Sequence, residues 1–195
     1  MSKVRLYLVR HGKTMFNTIG RAQGWSDTPL TAEGELGIHE LGIGLRESGL
    51  QFDRAYSSDS GRTIQTMGII LEELGLQGKI PYRMDKRIRE WCFGSFDGAY
   101  DGDLFMGVIP RVFKVDHVHQ LSYAELAEGL VEVDTAGWAE GWEKLSGRIR
   151  EGFETIAKEM EEQGGGNALV VSHGMTIGTM VYLINGMHPH GLDNG

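Results

Sequence analysis

The chain is short of three things, and each shortage closes off a class of protein. It holds one cysteine, Cys92, so no disulfide can form within it and a reducing compartment is its natural setting. It is short of positive charge: 19 lysines and arginines face 27 aspartates and glutamates, for a net charge of −8. Nothing in that balance advertises a nucleic-acid footprint or affinity for an anionic membrane surface. It also lacks any apolar run near the roughly 20 residues of a membrane span. Its opening, Met1-Ser2-Lys3-Val4-Arg5, has neither the long apolar stretch nor the cleavage site of a secretory signal. What remains is a chain of 195 residues, 41% hydrophobic and 24% charged, the profile of one globular domain with a real core. Glycine is abundant, at 29 residues, which suggests tight turns and close backbone approaches. The expectation is an acidic, cytoplasmic, single-domain protein spanning 1–195.

Hydrophobic patterning orders the chain into alternating elements. Val4-Arg5-Leu6-Tyr7-Leu8-Val9 reads as a buried strand that runs into Arg10-His11-Gly12 and a long polar loop reaching Pro29. A loop of that length inside a compact domain is usually functional. A helix starts near Thr31, with Ile38, Leu41 and Leu45 on its apolar face and four glycines that weaken it. Arg54-Ala55-Tyr56-Ser57 reads as a second strand, and Arg62 to Glu73 as a helix whose apolar face is Ile64, Met67, Ile70 and Leu71. Ile80 to Met84 reads as an edge strand, because Pro81 cannot donate to a ladder. Trp138, Trp142, Leu145, Ile149, Phe153, Ile156 and Met160 recur at three- and four-residue spacing, one stripe of a long amphipathic helix ending at Gly164-Gly165-Gly166. Ala168-Leu169-Val170-Val171-Ser172 is a further apolar strand, followed by His173-Gly174 and a helix from Met175 to Ile184. This alternation predicts an α/β fold, a three-layer α/β/α sandwich on a mostly parallel sheet. Residues 95–137 show no readable period and are expected to be an insertion covering the substrate.

Two strands end alike, in Val9-Arg10-His11-Gly12 and Val171-Ser172-His173-Gly174. In open parallel sheets ligands sit beyond the carboxyl ends of the strands, so the two histidines can face one site. The second strand feeds a helix that opens with Arg62, where free N–H groups, helix dipole and guanidinium together suit an anion. Leu8-Val9-Arg10-His11-Gly12-Lys13-Thr14 with Asn17 resembles the signature of the histidine phosphatase superfamily, the phosphoglycerate-mutase-like fold. Four more segments resemble it in family order: Gly20 to Gly24 with Pro29-Leu30-Thr31, Tyr56 to Asp59 with Arg62, Arg89-Glu90 with Phe93-Gly94 and Gly98, and Ser172-His173-Gly174.

The resemblance implies a role for each residue. His11 attacks phosphorus and becomes a phosphohistidine; Arg10 and Arg62 bind the non-bridging oxygens. His173 donates to the transferring group, for which it is expected to be charged. Glu90 protonates the leaving oxygen and later activates water. Asn17, Gln23, Gly24 and Gly174, with Arg10 and Arg62, are the expected substrate-binding set. The substrate is a small-molecule phosphate ester, and neither cofactor nor metal is implied. Phosphoryl transfer asks for positioning and charge stabilisation, and a guanidinium fork fits phosphate oxygens better than an ammonium does.

Within the family the expected activity is phosphomonoester hydrolysis. Met175 follows His173-Gly174 where the mutases would carry a small polar residue, residues 95–135 lack the mutases' proline-rich and basic segment, and Phe93 to Gly98 resembles the phosphatase branch. The alternatives are a phosphoglycerate-mutase-type phosphotransferase and an inactive phospho-ligand-binding protein. His117 and His119, and His188 and His190, form pairs without further ligands at metal-site spacing, and the first pair can instead meet substrate. Trp138 and Trp142 read as core packing and Cys92 as a small buried hydrophobe. Gly191 to Gly195 resembles the lead-in to a last strand.

Overall fold

Parallel pairing organises the molecule. In the computed structural model, which describes residues 3–186, Val4–Arg10 (β1), Arg54–Ser57 (β2), Tyr82–Met84 (β3) and Gly166–Ser172 (β4) form one sheet in the order β1-β4-β2-β3, every pair parallel. His188, His190 and the tail from Gly191 lie outside the described residues. β3 is short and at the edge, and Pro81 sits just before it. The helices are Met15–Thr18 (α1), Ala32–Glu47 (α2), Gly61–Glu73 (α3), Ile109–Phe113 (α4), Tyr123–Val133 (α5), Trp142–Glu162 (α6) and Gly174–Asn185 (α7). No described helix is long and apolar enough to cross a membrane.

Strand residues alternate between two cores, as a period of two requires. Leu6, Leu8, Tyr56, Ala168 and Val170 join the core with α5 and α6. Tyr7, Val9, Ala55, Leu169 and Val171 join the opposite core with α2 and α3. The architecture is therefore a three-layer α/β/α sandwich. On α6, Leu145, Ile149, Phe153, Ile156 and Met160 are all buried, each stabilising by roughly 1.5–3 kcal/mol relative to exposure.

Three details depart from the hydrophobic pattern. Trp138 is 66% exposed and precedes α6, so it is neither on the stripe nor in the core. It belongs to a turn gathered by Asp134, whose carboxylate accepts the N–H groups of Ser95, Ala136, Trp138 and Ala139. Those donors hold the Asp134 carboxyl far below the usual carboxylate range, against a burial penalty. Ile64 is 37% exposed, and α3 buries Arg62, Thr63 and Thr66 instead. On α2 the buried positions are Gly34, Ile38 and Gly42, while Leu41 faces outward. A Cβ on Gly34 would lie 2.1 Å from the Lys13 carbonyl oxygen, and one on Gly42 would lie 2.6 Å from Glu73 Cβ. Two of the four glycines that cost helix propensity thus sit at close approaches, Gly34 against the Lys13 backbone and Gly42 against the Glu73 side chain.

Residues 94–133 are a chain of short helical pieces. A 3-10 turn at Gly94–Phe96 leads to a π-helix at Asp103–Val108, then α4, a 3-10 turn at Val118–Gln120 and α5. Leu104, Ile109, Leu121, Leu126 and Leu130 anchor this segment in the α6-side core.

The α2 geometry generates a paired prediction. Gly37→Ala, which meets nothing within 4 Å, is expected to stabilise by about 1 kcal/mol through helix propensity. Gly34→Ala is expected to destabilise by about 1–3 kcal/mol by overpacking. Urea unfolding midpoints of the two variants check this, and equal shifts would refute it.

Candidate active site

Strand register brings the polar ends together. β1 pairs with β4 up to Arg10 opposite Ser172, and β2 pairs with β4 up to Ser57 opposite Val171. The ladder continues one step further, with His11 N donating to Ser172 O at 3.1 Å and Ser58 N donating to Val171 O at 3.2 Å. His11, His173 and Ser58 therefore end adjacent strands at one edge. The His11 and His173 rings lie 5.3 Å apart, centroid to centroid.

The proton on His11 can be placed from its partner. Nδ1 is 2.8 Å from Gly12 O, and a carbonyl only accepts, so Nδ1 carries the hydrogen and Nε2 carries a lone pair. Burial and the charge of Arg62 lower the His11 pKa to about 3. Gly12 N in turn donates to Thr66 Oγ1 at 3.1 Å, which ties this turn to α3.

Arg62 is fully buried, and its guanidinium is gripped by protein. Nη1 donates to Asp27 Oδ1 and Ser26 O at 2.8 and 2.9 Å; Nη2 donates to Gly24 O and His173 Nδ1 at 2.8 and 2.9 Å. Because Arg62 donates into Nδ1, the His173 proton sits on Nε2 and is donated to Ser58 Oγ at 2.7 Å. Burial and the nearby Arg62 charge hold His173 well below its ordinary value. The ring is neutral here, where the sequence reading wanted it charged, since both nitrogens are spoken for.

Glu90 sits at the N-terminus of α7. Its Oε1 accepts from Trp91 N, Thr176 N and Thr176 Oγ1, while Oε2 accepts from Met175 N at 3.1 Å. The strap that carries it is held by Arg148 of α6, which donates to the carbonyls of Arg87, Arg89 and Glu90 and pairs with buried Glu140 at 2.6 Å.

These groups border a cavity of about 830 Å³. Arg10, His11, Asn17, Gln23, Glu90 and Gly174 line it. Burial lowers the Arg10 pKa, against the opposing pull of Glu90. Arg62 and His173 are fully buried and lie behind the cavity wall. Gly24 is not brought to the wall: its N–H donates to Asp97 Oδ1 and its carbonyl takes Arg62. Asn17 Oδ1 accepts from Thr14 N, and Gln23 bridges Thr14 Oγ1 and Thr28 Oγ1. His117 and His119 both reach the cavity wall. Among the described residues no three His, Cys, Asp or Glu side chains gather as metal ligands. Cys92 is buried, and burial pushes its thiol up.

Sequence reasoning passed over four supports of this site. Ser58 and Asp97 lay inside segments quoted for other residues, and Thr66 and Arg148 lay off the apolar stripes by which their helices were read. Asp97 is the busiest: its carboxylate accepts from Gly24 N, Trp25 N, Ser26 N, Ser26 Oγ and Phe93 N. The available signal was an acidic residue in a glycine-flanked loop, beside a run rich in N–H donors.

Known proteins bear on this arrangement. The profile of the histidine phosphatase superfamily, branch 1, matches residues 6–194. A Salmonella choleraesuis protein named "Probable phosphoglycerate mutase GpmB" is 32% identical over 186 residues, 94% of this chain and 76% of that one. The crystal structure of a phosphoglycerate mutase from Bacillus anthracis superposes with a TM-score of 0.91 at 36% identity, covering 100% of this chain and 86% of that one. The alpha-ribazole phosphatase of Shigella flexneri shares the fold, with a TM-score of 0.67 at 24% identity over 94% of this chain and 81% of that one.

The two neutral histidines make stability depend on pH. On unfolding, both imidazoles regain an ordinary value of 6.5, while folded His11 titrates at about 3. The unfolded chain therefore binds more protons below 6.5. Stability is full above that pH and falls as pH drops from there toward 3. Each histidine contributes a slope approaching 1.4 kcal/mol per pH unit, to order of magnitude. Urea unfolding between about pH 7 and about pH 5, above the range where most carboxylates titrate, is expected to show this decline. His11→Gln is expected to remove one proton's share of it, and flat stability would contradict the assignment.

Proposed function

Because the chain belongs to the histidine phosphatase superfamily, we propose that it is a phosphomonoesterase that takes a phosphoryl group onto His11 and passes it to water. The observation that carries this reading is the His11 tautomer. The Gly12 carbonyl holds the proton on Nδ1 and leaves the Nε2 lone pair for phosphorus, on the wall of a cavity shared with Arg10 and Glu90.

In this reading Nε2 attacks phosphorus in line and the phosphorus–ester oxygen bond breaks. The departing oxygen takes a proton from Glu90, at Oε2, which accepts from Met175 N. Water then attacks the phosphohistidine, Glu90 takes its proton, and the nitrogen–phosphorus bond breaks to return the lone pair to His11. Arg10 matches the non-bridging oxygens, where charge is greatest. Arg62, fixed by Asp27, Ser26, Gly24 and His173, adds a positive charge that cannot reorient, and preorganised charge of this kind costs no rearrangement during transfer. It also disfavours a proton on His11, which keeps the nucleophile available. His173 orients through Arg62 and Ser58 and would meet the phosphoryl group by exchanging one of those partners. Asn17 offers its amide N–H groups, since its oxygen is taken by Thr14.

A second reading has one observation in its favour: relatives at 32% and 36% identity carry the name phosphoglycerate mutase. A mutase would return the phosphoryl group from His11 to a second hydroxyl instead of water.

His11→Ala is expected to lower phosphate release from a generic phosphomonoester by a factor on the order of 10³ or more, with the near-UV spectrum of the fold retained. An unchanged rate, or wild-type activity abolished by a chelator, would overturn the proposal. Assay of 3-phosphoglycerate with and without a bisphosphoglycerate primer separates the mutase, which forms the isomer. Tight binding of phosphate esters without turnover would mark a binding protein.

A further inference from the structure

We propose that the alcohol half of the substrate is a bulky, aromatic or otherwise apolar group, and that Phe105 and Met106 on the π-helical segment determine this specificity. The inference rests on the phosphomonoesterase reading and names its substrate class.

Size comes first. A phosphoryl group needs only the corner of the cavity held by Arg10, His11 and Glu90, yet the space measures about 830 Å³. That lies toward the upper end of cavities that enclose drug-sized ligands, roughly 300–1,000 Å³. A three-carbon phosphate ester would leave most of it wet.

The lining chemistry changes across the cavity. Away from the phosphoryl corner the wall is Phe93, Phe105, Met106, Leu121 and Leu126. Phe93 and Phe105 cross edge to face, with centroids 5.6 Å apart and planes at 85°. Met175 stands at the junction: it lines the cavity, and its N–H donates to the Glu90 oxygen assigned to the leaving group. An alcohol departing at Glu90 therefore leaves beside a thioether rather than a charge. Sulfur and aromatic edges both favour a flat apolar guest.

The polar lining beyond the phosphoryl corner is mixed in charge: Arg21, which donates through Nη1 to Gly98 O at 2.6 Å, the carboxylate of Asp101, and the imidazoles of His117 and His119. The apolar wall, and not this mixed rim, is what selects the alcohol half.

Backbone form supplies an independent observation. Asp103–Val108 is a π-helix, a rare conformation that recurs at functional sites. It carries Phe105 into the lining and leaves Met106, also on the lining, 75% exposed. An exposed methionine costs solubility and gains contact only when an apolar ligand covers it.

Steady-state kinetics test the inference, with 1-naphthyl phosphate and 3-phosphoglycerate as substrates and inorganic phosphate as competitive inhibitor. Hydrolysis of the naphthyl ester is expected to exceed that of phosphoglycerate by about tenfold or more in kcat/KM. Phe105→Ala is expected to raise KM for the naphthyl ester about tenfold while inhibition by inorganic phosphate stays put. Met106→Ala, at an exposed position that does not endanger folding, is expected to raise it about threefold. Phosphoglycerate hydrolysed as well as the naphthyl ester, or both variants changing phosphate inhibition as much as KM, would overturn the specificity and leave the hydrolase intact. Equal naphthyl ester hydrolysis by wild type and His11→Ala would instead bring down the phosphomonoesterase reading beneath it.

Discussion

Parallel pairing of β1 with β4 is the constraint on which the rest depends. The two strands end in register, so the residue after each, His11 and His173, arrives at the same edge of the sheet. A slip of one residue would turn every side chain of a strand to the opposite face. Leu6 and Leu8 would then leave the α6-side core, and the two imidazoles would part. The packing of two apolar layers thus sets the separation of two polar rings. The helices carrying Arg62 and Thr66, and the strap carrying Glu90, close around that fixed pair.

The electrostatic design is local and runs against the net charge of −8. A fully buried guanidinium would be costly if left alone; removing one partner from a buried ion pair commonly costs about 3–5 kcal/mol. Arg62 meets this with Asp27 and with the carbonyls of Gly24 and Ser26. One Nη2 hydrogen goes to His173 Nδ1, whose neutrality follows, while the Nε–H finds no partner among the described residues. Burial lowers the His11 pKa most, and the same charge adds to it. Burial and one arginine together keep both rings neutral, and loop carbonyls set the position of that arginine. Arg148 repeats the device on the other flank by gripping the carbonyls of Arg87, Arg89 and Glu90.

The sheet, its parallel sense and the two strand-end histidines were legible because each rests on local signals: β-rich apolar runs, an abrupt polar end, and a helix pattern after it. Other features were hidden for physical reasons. Gly34 and Gly42 look like helix weaknesses until Lys13 and Glu73 are seen pressing on them. Ile64 and Trp138 satisfy apolar periodicity yet face solvent, because burial is decided by what packs opposite, which a single helix does not record. Arg62 and Thr66 occupy the buried face that Ile64 seemed to claim. Residues 94–133 mix 3-10, π and α turns, so no single period exists in them to be found. The partners of His173 lie 111 and 115 positions away in sequence, beyond the reach of any spacing argument.

Asp97 has a consequence for motion. Its two oxygens protect the amide hydrogens of Gly24, Trp25, Ser26 and Phe93, which come from separate stretches of chain. Amides that share one acceptor lose that protection together when it leaves. The loop that follows Gln23 and the segment after Glu90 are thus fastened to each other through a single carboxylate.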